Sequence, residues 1–450
     1  MGMTSTTQRA GLWQRALEMS RATPESRNRY VDFLRAVAIL CVIFGHWTAA
    51  AAYPDGEGGL KITHLLDVTS KSHPFTWFIQ VMPVFFFVGG FSNGVSWTGA
   101  KRKGTGYSMW LESRLRRLIA PVLVPLAAWI VMGGVAHICG VTRPWIGTGS
   151  QLALIPIWFL AVYVVIALLV PISNALWTRF GWLSFFGLAA MAGALDVGFF
   201  LGDLRDLAWV NYIFVWSAVH QLGYAWNDKQ LEGSFRPLLL AGVGGGLLCT
   251  LVFAGPYPLS MVSVAGDPVS NTLPPKITLL CLGCLQIGLL LSVQAHMKRF
   301  LSSVKPWAAT VLINGMIMTV FLWHMTVMIL LVGAAHLMGD LGLSATPNSS
   351  EWWSQKVIWL LVCTLGLLPA IALFGRFERP KAQLPGLAPL PAWRLVIGSF
   401  LVCFGLALVA KDGIAGDGPL GLRTLALLPP FLGFALTRRW GTERAAELTD

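Results

Sequence analysis

Residues 27–47 read RNRYVDFLRAVAILCVIFGHW, and this stretch decides the fold. An apolar run from Ala36 to Phe44 is bounded by two polar residues, Arg35 and His46. About 20 predominantly apolar residues suffice to cross a bilayer as a helix. Comparable runs recur along the chain. They place spans at 33–53, 77–97, 118–139, 153–172, 182–200, 207–226, 237–255, 274–294, 307–335, 354–374, 393–410 and 420–437. The expected fold is therefore an all-α, polytopic membrane bundle of about twelve helices. Every connection is short, which excludes an inserted soluble domain. The last two spans are the weakest of the set, because Pro429 and Pro430 interrupt the twelfth.

Composition agrees. Of 450 residues, 55% are hydrophobic and 12% charged, against about 25% charged in soluble domains. The net charge of +12 could point to nucleic acid in a soluble protein. Here its placement predicts orientation instead, and no nucleic-acid partner is expected. The segments 1–31, 98–117, 173–181, 227–236, 296–306, 375–392 and 438–450 hold 23 Lys and Arg, whereas the alternate segments hold 5. The positive-inside rule then puts both termini in the cytoplasm. A cleaved signal peptide is not expected, because more than 30 residues precede the apolar run and Arg35 and His46 punctuate it. Residues 11–20 are weakly amphipathic and predict either a helix on the inner leaflet or a disordered tail. Cys281 and Cys284 form a C-x-x-C inside a span, where apolar filler is the simpler reading than redox or metal chemistry. No metal site is expected.

Ionisable groups inside spans are costly and mark function. Asp32, Arg35 and His46 lie in the first span. Asp32 is three residues before Arg35, within pairing reach. Eleven residues separate Arg35 from His46, which is three turns plus about 20° and about 16 Å of axis. The span thus carries one polar stripe from surface to mid-membrane. An interfacial ion pair and a histidine satisfied by a carbonyl would explain the same pattern. In the second span, Gly90 and Gly94 form a G-x-x-x-G after Phe85–Phe87, and Gly89 adjoins them. These glycines fit close helix packing, or an open backbone surface for a ligand. Arg114 and Arg117 are spaced i, i+3 on a helix entering the membrane and suit bidentate phosphate binding. Positive-inside signalling explains them as well. His324 lies mid-span near the flexible pair Asn314-Gly315, and Asp196, His220 and His137 stay ambiguous.

In this order, D-x-L-R (Asp32–Arg35) with Gly45-His46, MPVFFFVGGFSNG, SRLRRLIAP and Leu322-Trp323-His324 resemble the acyltransferase family 3 of membrane acyltransferases. The match is less close where Phe321 replaces a family tyrosine and Met325-Thr326 departs from its pattern. The resemblance covers about 30–375. It divides the chain into a cytoplasmic segment 1–31, a ten-span core 32–375, two further spans in 376–437 and a tail 438–450. It implies an acyltransferase of a bacterial plasma membrane. Such an enzyme takes an acyl group, acetyl foremost, from cytoplasmic acyl-CoA to a hydroxyl of an envelope glycan or glycolipid. The resemblance makes His46, Arg35 and Asp32 catalytic. It assigns Arg114, Arg117, Gly89, Gly90, Gly94 and His324 to the donor, with acyl-CoA a substrate rather than a permanently bound cofactor. His46 acts as general base or as transient acyl carrier, and Asp196 or another group orients it. A secondary transporter for a glycan or lipid precursor is the competing expectation. Against it, no second copy of these elements appears in the later half, where transporters show repeats.

Overall fold

The computed structural model describes residues 11–24, 27–378 and 388–439. The expected tail from 440 onward lies outside the described residues. All twelve predicted spans fall on helices. Among the described residues, nine are long and apolar enough to cross a membrane alone, from Arg29–Ala49 through Tyr107–Ile138 to Ala392–Asp412. The other three are the eighth, sixth and twelfth. The eighth (Ile277–Ser292) continues into Gln294–Ser302 across a 53° bend. The sixth (Asn211–Asn227) is shorter and mostly buried within the bundle. The twelfth (Thr424–Thr437) stays helical through both prolines.

The first span starts where Asn28 caps it, its side chain accepting from the Tyr30 and Val31 amides. Such a cap satisfies backbone donors that a helix start leaves unpaired. The helix stops at Ala49, four residues short of expectation. There the chain enters a hairpin, Ala50–Pro54 paired antiparallel with Leu60–His64. Lys356, from the start of the tenth span (Ser350–Phe374), fixes that stop. Its Nζ donates to the Trp47 and Ala50 carbonyls at 3.2 and 2.6 Å and lies 4.3 Å over the Trp352 ring. A cation at a helix C-terminus meets carbonyls that lack partners.

The ninth span is broken, as Asn314 and Gly315 foreshadow. Val304–Asn314 ends at Gly315, and Ile317–Leu337 begins a new helix. Glu378 caps the new start, accepting from the Met318 and Thr319 amides at 2.7 and 3.1 Å. The amphipathic segment is the helix Leu12–Arg21, and it packs against Val304–Asn314. Trp307 Nε1 donates to Thr23 Oγ1 beside it.

The second span (Met82–Arg102) crosses the sixth so closely that glycine is required on both. A Cβ on Gly90 would lie 1.9 Å from the His220 carbonyl oxygen, and one on Gly223 2.3 Å from the Phe87 oxygen. Aromatic stacking flanks the crossing, Phe86 on Trp216 and Phe87 on Trp226. The last two spans pack against the third (Tyr107–Ile138), and the eleventh also on the fourth (Ile157–Phe180). Arg439 forms a two-pronged ion pair with the buried Glu112 at 2.7 and 2.8 Å. Asp196 is fully buried at the opposite end. It accepts from Asn211 Nδ2, Tyr257 OH and the Ile277 amide, with Lys276 Nζ 3.9 Å away.

Two stability outcomes follow. Gly90→Ala overpacks the crossing and costs at least ~3 kcal/mol, whereas Gly45→Ala meets nothing within 4 Å and leaves stability level or raised by up to ~1 kcal/mol. Thermal melting in detergent checks this, and equal melting temperatures for the two variants would contradict it. His64 ends the hairpin, and burial holds its imidazole below the usual 6.5; Asp67 opposes the shift and Lys356 adds to it. Below about pH 6.5 the unfolded chain takes up a proton that folded His64 resists, so stability falls with acidification. His64→Gln should flatten the decline in melting temperature between pH 7 and 5; an unchanged slope would discount His64.

Candidate active site

The unbroken first helix keeps Arg35 and His46 on one face, and the structure gives each a defined surrounding. At the cation-rich end, Asp32 is buried and held by two arginines. Arg27 Nε lies 2.7 Å from Oδ2 and Arg35 Nη1 3.2 Å from Oδ1. Arg35 Nη2 also donates to Ser92 Oγ at 3.2 Å. From the other side Arg114 Nη2 reaches the Ser92 carbonyl at 3.4 Å, its guanidinium 5.7 Å from the Trp110 ring. A cavity of about 230 Å³ opens here, lined among others by Arg27, Asp32, Arg35, Phe91, Ser92 and Ser96. Asp32 neutralises one charge and fixes the two arginines in place. Planar guanidiniums in such a mouth suit an anionic, phosphate-bearing ligand.

Arg117 is not brought to this cavity. It lies exposed on the same helix as Arg114; neither residue lines the cavity itself, but Arg114 bonds the carbonyl of Ser92 in its wall. Arg27 and Ser92 join the mouth although sequence reasoning passed over them. Arg27 stands before the motif, and a single serine in an apolar span carries no signal on its own.

His46 meets His324 at the other end of the stripe. Their rings are nearly parallel, and Nδ1 of His46 is 2.9 Å from Nε2 of His324. Nδ1 of His324 lies 2.7 Å from the Phe321 carbonyl oxygen. A carbonyl only accepts, so Nδ1 of His324 carries the hydrogen. With both rings neutral, Nε2 of His324 is then an acceptor, His46 donates from Nδ1, and Nε2 of His46 keeps its lone pair. Trp47 Nε1 donates to the His324 carbonyl at 3.1 Å, and Trp129 Nε1 to Thr326 Oγ1 at 3.0 Å. These bonds tie the ninth span to the first and third. His324 is wholly buried whereas His46 is partly accessible.

The structure bears on two expectations. The hydrogen-bond partner of His46 is His324, a residue assigned above to the donor, while Asp196, one of the alternatives for that partner, is engaged with Asn211, Tyr257, Ile277 and Lys276. The glycines do not hold an open surface. Gly90 abuts the His220 backbone, Gly94 the Tyr224 ring and Gly89 the Tyr163 ring. Their missing side chains are used for helix packing, the alternative that the G-x-x-x-G spacing also carried. Of the remaining histidines, His220 is buried with Nε2 3.2 Å from Asn93 Nδ2, and His137 sits against Gly421. Neither reaches the His46 pair. Among the described residues no cluster of His, Cys, Asp and Glu could hold a metal ion.

Along the helix face between Arg35 and His46 stand Ile39 and Val42, both buried. The arrangement is thus a basic mouth and an imidazole pair, about 16 Å apart along one helix, joined by an apolar stripe. An imidazole with one nitrogen fixed by a partner and the other bare can take a proton from a hydroxyl or act as a nucleophile.

Comparison with known proteins identifies the family. A family model described as an acyltransferase domain, Acyl_transf_3, matches residues 28–407. The match takes in the mouth apart from Arg27, the His46–His324 pair and most of the eleventh span. Neither the curated proteins nor the solved structures compared give a match. With more than half of its length matched, the chain belongs to the acyltransferase 3 family and is a polytopic membrane acyltransferase.

Proposed function

We propose that this acyltransferase draws its acyl group, foremost acetyl, from acyl-CoA at the cation-rich face and passes it to a hydroxyl of an extracytoplasmic or lipid-linked envelope glycan. The cation-rich face is read as cytoplasmic, with both termini there and a bacterial plasma membrane as the setting. The observation that carries the reading is the His46–His324 pair, whose hydrogen bonds leave Nε2 of His46 bare within the first span.

In this reading Arg35 and Arg114 hold the phosphates of the donor, and Asp32 keeps Arg35 aimed at the mouth. The pantetheine arm, thin and uncharged, lies along the Ile39–Val42 stripe and separates the helices there. Nε2 of His46 takes the proton of the acceptor hydroxyl as its oxygen attacks the thioester carbonyl. The new C–O bond forms, the C–S bond breaks, and the CoA thiolate recovers the proton from His46. His324 accepts from Nδ1 throughout and favours the imidazolium form of His46 as it arises. Direct transfer needs no second nucleophile and is preferred over an acyl-histidine. The last two spans brace the ten-span core, and the Glu112–Arg439 pair supports that role.

Incubation of membrane vesicles with radiolabelled acetyl-CoA, followed by separation of lipids and glycans, tests donor and acceptor together. Absence of label in every fraction, with a folded protein, would sink the donor assignment. His46→Ala should lower turnover by 10²-fold or more while the melting temperature stays close to wild type. His324→Ala should lower kcat at least about tenfold, and by less than the ~10⁴-fold that loss of a charged orienting partner costs, with the donor KM unchanged. Wild-type kcat in either variant would refute the pair as the proton-transfer centre. Arg114→Ala should weaken donor binding about tenfold, the worth of one charge-assisted bond. Arg117→Ala should have a smaller effect, because Arg117 is exposed whereas Arg114 bonds the Ser92 carbonyl at the mouth. Titration calorimetry in detergent measures both, and equal losses would place Arg117 at the phosphates as well.

A further inference from the structure

Away from the mouth and the imidazole pair, a groove of about 710 Å³ opens between the fifth (Trp182–Leu201), seventh (Phe235–Phe253) and eighth (Ile277–Ser292) spans. Its walls are apolar, from Phe185 and Leu240 through Val243 and Leu247 to Leu280. The residues on its rim are open to the surroundings, with Val243 and Leu247 each 53% exposed. Arg236 is the only charged residue among those lining it, and Gln230 and Trp182 stand beside it at the same end. That end belongs to the cation-rich segment 227–236.

Length and charge define the occupant. From Arg236 to Leu247 is eleven residues, about 16 Å of helix, which is one leaflet's share of a hydrocarbon core roughly 30 Å thick. Arg236 spends one donor on the Gln230 carbonyl at 3.4 Å and keeps the rest of its fork. Of the two acids that flank Gln230 in sequence, Asp228 is already bonded to Trp177 Nε1 at 2.8 Å and to the Asn227 side-chain amide. Glu232 is exposed. An apolar protein helix laid in the groove would leave the guanidinium without a counter-charge at the membrane boundary. A lipid phosphate supplies one.

We propose that this groove is a binding site for one acidic phospholipid of the cation-rich leaflet, its phosphate on Arg236 and an acyl chain along Leu240–Leu247. The floor of the site explains what a seated lipid would stabilise. Gly244 packs on Cys281 and Cys284 of the eighth span. The far side of that span holds the second, where Gly283 meets Pro83 and Gln286 Nε2 donates to the Trp77 and Gln80 carbonyls. The lipid therefore buttresses the span that carries Ser92.

Native mass spectrometry of the full chain in detergent tests the proposal, with phosphatidylglycerol and phosphatidylcholine of identical chains added in equal amounts. The readout is lipid retention, so it stands or falls independently of acyl transfer. Wild type should retain phosphatidylglycerol about fivefold over phosphatidylcholine, the ratio one arginine contributes near an anionic headgroup. Arg236→Gln should bring that ratio to about one, and Val243→Trp, which fills the groove, should remove retention of both lipids. Equal retention by wild type, or a preference that survives Arg236→Gln, would overturn the proposal. Arg236 is an exposed residue, so its variant decides the matter even where Val243→Trp fails to fold.

Discussion

The close crossing of the second and sixth spans is the constraint on which the rest depends. Gly90 and Gly223 let two backbones touch where any side chain would collide. Without apolar driving force between helices in lipid, such contact is what holds a pair together. Gly90 and Gly94 share one helix face, and Ser92 lies about 200° from Gly90, on the other. Locking the glycine face against the sixth span therefore turns Ser92 toward the first and third. There its hydroxyl meets Arg35 and its carbonyl meets Arg114. One packing decision inside the bundle fixes where the basic mouth forms.

The same logic separates what sequence could tell from what it could not. Apolar runs and the cation asymmetry foretold the helices, since both record how a segment meets a bilayer. The Arg35–Asp32 pair was readable because both partners lie on one helix at fixed spacing. The His46–His324 pair joins residues 278 apart in the chain, and no periodicity connects them; each histidine stood out singly while their bond did not. The glycines carried two meanings, close packing or an open surface, and only a partner helix decides between them. Arg114 and Arg117 look equivalent as R-x-x-R. Three residues on a helix leave the two only about 60° apart, so spacing alone does not separate them; the second span does, by presenting the Ser92 carbonyl to Arg114 while Arg117 stays exposed.

Helix ends account for the remaining departures. The first span stops at Ala49 because Lys356 meets its last carbonyls, and the ninth restarts at Ile317 because Glu378 meets its first amides. Lys356 comes from the start of the tenth span and Glu378 from the short helical turn Gly375–Glu378 that follows it, so the two ends of one segment set the lengths of the helices that carry His46 and His324. Backbone groups at a break cannot stay unpaired in an apolar setting. A residue that satisfies them acts at a distance on the imidazole pair.

The partner of His46 is a second imidazole rather than a carboxylate, and the membrane gives a reason. A fully buried carboxylate needs a counter-charge and several hydrogen bonds to be tolerated. Asp196 illustrates the requirement, with Asn211, Tyr257, a backbone amide and Lys276 gathered around it. At the His324 position one carbonyl, that of Phe321, suffices to fix the tautomer, and the pair rests uncharged. In the proposed reaction charge appears on His46 only while a proton is in transit. A neutral acceptor stabilises that charge less than a carboxylate would, but it carries no resting charge to bury. The chain thus places its full charges at the two ends of the bundle and keeps the centre neutral until substrate brings the proton.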